Sequence, residues 1–239
     1  MSITILFLQL MAYFFASLSG CFGGQPDIYP RPNTQALASN SMVSITRKDV
    51  KAVHWVNRDR QETVAFREEW IGKGKSKSRI LYPLQDLSAG TYELHLTEPD
   101  EIRSFQVGNK KDKKAPCFKG DLVLESYYRP KPDSECPTNY WIKCQFPIPE
   151  DDLTEADAFS YLVYFSKQEK AVLDQADLLV HAERVKVGKV SFRVGESGCG
   201  CLPKYQLSPG ETYTLSIFVM DRSGKVGKKA LYGEVRMPD

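Results

Sequence analysis

Three sets of residues in this 239-residue chain have types and spacings that could do chemistry: six cysteines, three histidines and one acidic triplet. Cys199-Gly-Cys201 has one intervening residue, whereas the thioredoxin-type redox motif has two, and no second ligand pair accompanies it. A tight turn tied by a disulfide suits that string better than a metal or redox site. Among the histidines, His95 has Glu98 three residues on and His181 has Asp177 four residues back. Neither pair extends to a third ligand, and His54 has none, so no metal is expected. Glu150, Asp151 and Asp152 stand in a row, and adjacent carboxylates on one loop do not make the facing pair that glycoside hydrolysis needs. No Gly-x-Ser-x-Gly elbow is present. The string from Gly72 to Arg79 ends like a phosphate loop at Gly74-Lys75-Ser76, but that motif's first glycine would fall at Glu69. No enzyme and no cofactor are expected. What remains is a basic hairpin tip, Lys73, Lys75, Lys77 and Arg79, with Trp70 close by. It could meet an anionic glycan, lipopolysaccharide or lipid headgroup, since clustered cations near a membrane gain roughly 1 kcal/mol each.

Composition narrows the partners. Thirty-two Lys and Arg against thirty Asp and Glu leave a net charge of +2, too little for a nucleic-acid footprint. At 42% hydrophobic and 26% charged the chain can bury a core, and its length allows one or two domains.

The N-terminus carries an address. Ile3 to Leu18 is almost entirely apolar and gives way to small residues a little short of the ~20 that a membrane span needs. That is the pattern of a signal-peptide core and cleavage site. Leu18-Ser19-Gly20-Cys21 resembles a bacterial lipobox, in which a signal peptidase cuts before the cysteine and lipid joins its sulfur. The resemblance implies loss of residues 1–20 and lipidation of Cys21, palmitate being one such acyl group. With Phe22 rather than Asp after the cysteine, it also implies delivery to the outer membrane. Several acyl chains anchor stably where one binds marginally. The chain departs from the usual pattern in having no Lys or Arg before the apolar core.

Five cysteines then remain: Cys117, Cys136, Cys144, Cys199 and Cys201. Export favours disulfides, so two bridges and one leftover thiol are expected. Nearest-neighbour spacing suggests Cys136–Cys144, and Cys117 with Cys199 or Cys201.

The elements that would position these groups read as strands. Residues 21–40, rich in Gly, Pro, Asn and Ser, read as a tether. Residues 109–116 are charged and end in Pro, and form a basic linker between a first region, 41–108, and a second, 117–239. In the first region six short β-branched or aromatic runs, separated by turn residues, suggest a small sandwich; Tyr92, Leu94 and Leu96 share one face. The second region repeats this pattern, with the stripe Val190, Phe192, Val194 as its clearest strand. Val172, Ala176 and Leu179 suit a helical face, so a short helix or helical turn is expected within 170–185, although Leu178-Leu179-Val180 could be a strand.

Leu207-Ser-Pro-Gly-Glu-Thr-Tyr213-Thr-Leu215-Ser-Ile217-Phe-Val219 closely resembles the E–F corner and F strand of a fibronectin type III domain. The resemblance implies a tyrosine corner, in which the Tyr213 hydroxyl bonds back to upstream backbone. Leu207 and Tyr213 are the structural residues implied for this corner. Asp221-Arg222-Ser-Gly224-Lys225 looks like the F–G hairpin, Tyr140–Pro147 like strand B and Phe159–Phe165 like strand C. The segment from C to E is longer than usual for the family, and the cysteines are atypical. Leu87-Ser-Ala-Gly90-Thr-Tyr92 is a weaker echo of the same corner, with Tyr92 as its structural residue.

These readings together lead us to expect an all-β chain: two tandem immunoglobulin-like or fibronectin type III-like β-sandwiches after a lipoprotein signal peptide and flexible tether. The expected role is a non-enzymatic protein-interaction or structural module of the cell envelope. Its expected partners are the membrane, through the lipid, and another envelope protein, through sheet edges and end loops. The first surfaces of interest are Asp221, Arg222 and Lys225 of the F–G turn and the basic hairpin. Glycan or lipopolysaccharide binding, and an envelope enzyme, are the alternatives.

Overall fold

The computed structural model describes residues 28–31, 33–34, 36–46, 50–97, 100–129, 139–156, 158–167, 176–182, 184–186, 188–196 and 205–239. The strands of the first unit are β1 (Ile28–Tyr29), β2 (Val43–Ile45), β3 (Ala52–Asn57), β4 (Glu62–Thr63), β5 (Phe66–Ile71), β6 (Ser78–Pro83), β7 (Gly90–Thr97) and β8 (Glu101–Val107). Those of the second are β9 (Val123–Arg129), β10 (Asn139–Pro147), β11 (Ser160–Ser166), β12 (Leu178–His181), β13 (Arg184–Lys186), β14 (Lys189–Glu196), β15 (Thr212–Met220) and β16 (Leu231–Arg236). One 3-10 turn, Gly74–Ser76, is the only helical piece among the described residues. No helix there is long and apolar enough to cross a membrane.

Each unit is a sandwich of two four-stranded antiparallel sheets, and the two units share one topology. The first has β1-β2-β6-β5 facing β4-β3-β7-β8; the second has β13-β14-β10-β9 facing β12-β11-β15-β16. In strand letters both are an A-B-E-D sheet against a C′-C-F-G sheet, the immunoglobulin-like arrangement. Period-two alternation makes each core. Tyr92, Leu94 and Leu96 of β7 point inward with Trp55 and Phe105. Tyr213, Leu215, Ile217 and Val219 of β15 do the same with Phe192 and Val194.

A third core joins the sandwiches. Met42, Ile80, Leu162, Ala176, Leu179 and Met220 are buried together, with Ile71, Tyr82, Tyr164 and Phe218 packed around them. These are the outward positions of β5, β6, β11, β12 and β15 and of the residues just before β2 and β12. The A-B-E-D sheet of the first sandwich therefore lies on the C′-C-F-G sheet of the second, giving four stacked layers. A sheet covered on both faces reads as a continuous apolar run, which is why Ser160-Tyr-Leu-Val163 and Leu178-Leu-Val-His181 are buried throughout. Full burial contributes about 1.5–3 kcal/mol per large apolar side chain before entropy is charged.

Three expectations are corrected. Residues 178–181 form strand β12, not a helix, because Leu178 and Val180 enter one core while Leu179 and His181 enter the inter-sandwich layer. Leu179 thus belongs to a strand, while Val172 lies, with residues 168–175, outside those described. The first sandwich begins inside the segment read as tether, since Ile28 and Tyr29 pair with Ile45 and Ser44 and are buried. The disulfide expectation is not supported among the described residues. Cys144 is buried as part of the core between the cross-strand neighbours Leu124 and Phe192, Cys117 is exposed, and both are thiols. A buried Cys behaves there as a small hydrophobe. Cys21, Cys136, Cys199 and Cys201 lie outside the described residues.

Leu179→Ala is expected to lower stability by about 2–5 kcal/mol in urea denaturation, as deletion of a buried leucine does. Ile102→Ala, at a position 57% exposed on β8, is expected to change it by no more than about 0.5 kcal/mol.

Candidate functional site

The largest assembly of polar side chains surrounds the junction between the sandwiches, and the F–G turn of the second sandwich is its hub. Asp221 Oδ1 accepts bonds from Ser223 N at 2.7 Å, Ser223 Oγ at 2.8 Å and Lys225 N at 2.9 Å, which shape the turn. Gly224 sits at φ 83° against the Tyr82 ring of the first sandwich, where a Cβ would collide with it. Arg222 is 4% exposed. Its carbonyl accepts the Met42 N–H at 2.7 Å, its guanidinium lies 5.4 Å from the Tyr29 ring centroid, and Nη2 donates to Glu155 at 3.2 Å. Lys225 Nζ donates to the Asp112 carbonyl at 2.8 Å. Asp221 and Arg222 are thus buried in the contact between sandwiches rather than offered to solvent.

The linker is strapped down as well. Asn40 Nδ2 donates to Asp112 O at 3.0 Å, and Asp112 N donates back to Asn40 Oδ1 at 2.9 Å. Lys111 pairs with Asp86 at 2.8 Å. Asp112 then points its carboxylate at the loop after β10, where its ligand oxygen and those of Asp151 and Asp152 lie within 4.8 Å of one another. Burial, and next the Asp151 charge, push the Asp112 carboxyl above the usual carboxylate range, while Lys225 opposes them. Burial pushes Asp221 up to about 6.

His181 lies in the interface itself, 1% exposed. Its Nε2 is 3.0 Å from Ser44 Oγ of the first sandwich, and its Nδ1 is 3.3 Å from Ser160 Oγ of its own. Its ring stacks on Tyr29 at 5.8 Å between centroids. A serine beside a histidine can make a nucleophile, but both serines are sealed between sheets with the ring, and the trio ties the two sandwiches together. Burial pushes His181 down to about 4.

The basic hairpin divides. Lys73 crosses to the second sandwich, donating its backbone N–H to Asp177 O at 3.0 Å and pairing with Asp177 Oδ1 at 3.2 Å. Arg79 pairs with Glu68 at 2.6 Å and is largely covered. Lys77 and Trp70 are exposed, Trp70 at 53%; nothing is described of the Lys75 side chain. Elsewhere, His95 pairs with Glu93 at 3.0 Å and His54 is exposed. Both corner tyrosines are buried. The Tyr213 hydroxyl accepts the Ser208 N–H at 2.9 Å, and that of Tyr92 donates to Ser88 O at 2.9 Å, with Leu207 and Leu87 buried beside them. Tyr127 is, with Tyr128, Trp55 and Trp70, one of the aromatics whose exposure would suit a carbohydrate or peptide surface, and its partner Trp141 carried no such reading. Tyr127 of β9 and Trp141 of β10 stack at 5.4 Å and 8° on the outer face of the second sandwich's A-B-E-D sheet, beside Glu125 and Lys143. The signal for the pair was alternation: Tyr127 and Trp141 both fall out of phase with the inward residues Leu124, Ile142 and Cys144.

No family model matches this sequence, and no curated protein matches it. Among solved structures, the chain is similar to a three-immunoglobulin-domain fragment of titin at 13% identity and a TM-score of 0.23, covering 90% of this chain and 65% of that one. It therefore spans just under two thirds of that fragment's length. It is also similar to the CD2-binding domain of CD58 at 9% identity and a TM-score of 0.22, covering 87% of this chain and 97% of that one. A second titin tandem matches at 7% identity and a TM-score of 0.22, covering 88% and 98% respectively.

Because the folded protein holds His181 neutral while the unfolded chain protonates it near 6.5, the unfolded state binds more protons between about pH 6.5 and pH 4. Stability from this residue is complete above that window and is lost as pH falls through it, by up to about 3 kcal/mol. Asp112 and Asp221, with raised values, act in the opposite direction over the acid range. The clean readout is therefore a difference. Between pH 7 and pH 4.5, His181→Asn is expected to lose less stability than the unaltered protein in parallel urea titrations.

Proposed function

We propose that this chain is a non-enzymatic, lipid-anchored module of the cell envelope that holds a rigid pair of sandwiches away from a membrane and binds another envelope protein. The observation that carries this reading is the four-layer stack. The F–G turn, the linker and Lys73 of the basic hairpin, places where a site could have formed, are engaged in fixing one sandwich on the other. The stack leaves large apolar side chains outward on both sandwiches, Trp70, Leu84 and Ile102 on the first and, on the second, Val226, Tyr127 at 37%, Tyr128 at 41%, Val123 at 49% and Tyr232 at 64% exposed, of which those on β9 are grouped. Val123, Tyr127 and Tyr128 belong to β9, an edge strand of its sheet. Edge strands and exposed aromatics are the means by which sandwiches dock other proteins. Anchoring rests on the lipobox-like string at Cys21.

Glycan binding is the second reading. The Tyr127–Trp141 pair favours it over the basic hairpin, since a flat aromatic face flanked by Glu125 and Lys143 offers both stacking and hydrogen bonding.

The test is in-cell crosslinking of tagged protein followed by mass spectrometry. The expected outcome is one envelope protein captured by the unaltered chain, diminished by Tyr127→Ala and lost with Cys21→Ser, which should also leave the membrane fraction. If Cys21→Ser changes neither mass nor fractionation, the anchor is refuted. Capture of polysaccharide, competed by soluble glycan and insensitive to partner deletion, would favour the second reading.

A further inference from the structure

We propose that Asp112, Asp151 and Asp152 hold a hard divalent cation of the calcium type, which clamps the linker to the second sandwich. The three residues come from two separate segments, the linker and the loop between β10 and β11, and their ligand oxygens converge to within 4.8 Å of one another. Calcium takes oxygens at about 2.3–2.6 Å, so ligands that far apart can share one ion.

The second observation is orphaned oxygen. Asp112 is 1% exposed, and its Oδ2 is buried with no hydrogen-bond partner. Asp151 Oδ1 is in the same condition, while its Oδ2 accepts Leu153 N at 3.3 Å and Thr154 N at 2.7 Å, which fixes the carboxylate's orientation. A buried carboxylate oxygen without a partner is costly, and a cation between two of them removes that cost. The donors are all oxygen, with no thiolate or imidazole, which selects calcium or magnesium over zinc.

Access and charge agree. An open cleft of about 580 Å³ is lined in part by Asp151, Asp152, Thr154 and Arg222, so water reaches the cluster from the side of the loop, and not from that of Asp112. Two lysines compete. Lys225 Nζ lies 3.4 Å from Asp112 Oδ1, leaving Oδ2 to the ion, and Lys114 Nζ lies 3.2 Å from Asp152 Oδ2. Lys114 is 73% exposed and can swing away. With two ammonium groups against three carboxylates, affinity falls in the weak range typical of extracellular modules, a dissociation constant on the order of 10⁻⁴–10⁻³ M. The proposal is independent of the membrane anchor and of any protein partner.

The experiment is isothermal titration of calcium chloride into the full chain after EDTA treatment and dialysis, repeated with magnesium chloride. One saturable equivalent is expected. Asp152→Asn, at an exposed position, should weaken it tenfold or more, and Lys114→Ala should tighten it at least twofold. Asp151→Asn, also expected to abolish binding, provides a second variant should one of these misfold. Saturation by magnesium with the same response to Asp152→Asn supports the hard-cation site. No saturable binding at ~10 mM, ten times the upper constant, or binding indifferent to both Asp→Asn changes, overturns it.

Discussion

The burial of one sheet face against another governs this molecule. A sandwich of about a hundred residues satisfies itself with one inward face per sheet; here Met42, Ile80, Leu162, Leu179 and Met220 give two of the four sheets a second apolar face. Those faces cannot remain in water without a large apolar patch on each sandwich. Covering them fixes which sheet meets which, and so fixes where every loop falls. The F–G turn meets Tyr82 and Tyr29, the hairpin at Gly72–Arg79 meets Asp177, and the linker is left to run past the loop after β10.

Polar chemistry at the junction follows from that contact. His181, Ser44 and Ser160 sit where two sheets exclude water, so the ring finds its partners within the protein, in the two serine hydroxyls and the Phe159 backbone. Arg222 enters the same layer with its charge facing Tyr29 and Glu155. Asp112 is drawn in because the reciprocal pair with Asn40 holds the linker backbone in place. The carboxylate cluster is a consequence: once linker and loop are fixed, three acids share a small volume, and Lys114 and Lys225 answer only part of their charge.

Much of the architecture was legible in the sequence. The two corner strings at Tyr92 and Tyr213 announced a duplicated sandwich because a tyrosine corner is local in sequence. Period-two stripes placed most strands. What could not be read locally was the stacking. Phe159–Phe165 looked like strand C, yet its nearly unbroken apolar run also meant that both faces were covered, and only the partner sheet makes that visible. The same double burial left Leu178–His181 without alternation, so that Leu178–Val180 read only as the strand alternative to the helical spacing of Val172, Ala176 and Leu179. The F–G turn had the composition of an exposed loop, and Asp221 and Arg222 are buried only because another sandwich lies over them. The acidic triplet was visible at Glu150–Asp152, but Asp112 lay in a segment whose lysines dominated the reading.

The central claim is that the shared layer couples the sandwiches into one folding unit. Denaturant-dependent native-state hydrogen exchange of the two F strands, β7 and β15, tests it most directly. Coupling through the layer predicts that the slowest amides of both strands open with the same free energy and the same dependence on urea. If β7 and β15 open with distinct free energies and distinct urea slopes, each sandwich unfolds by itself and the layer does not bind them.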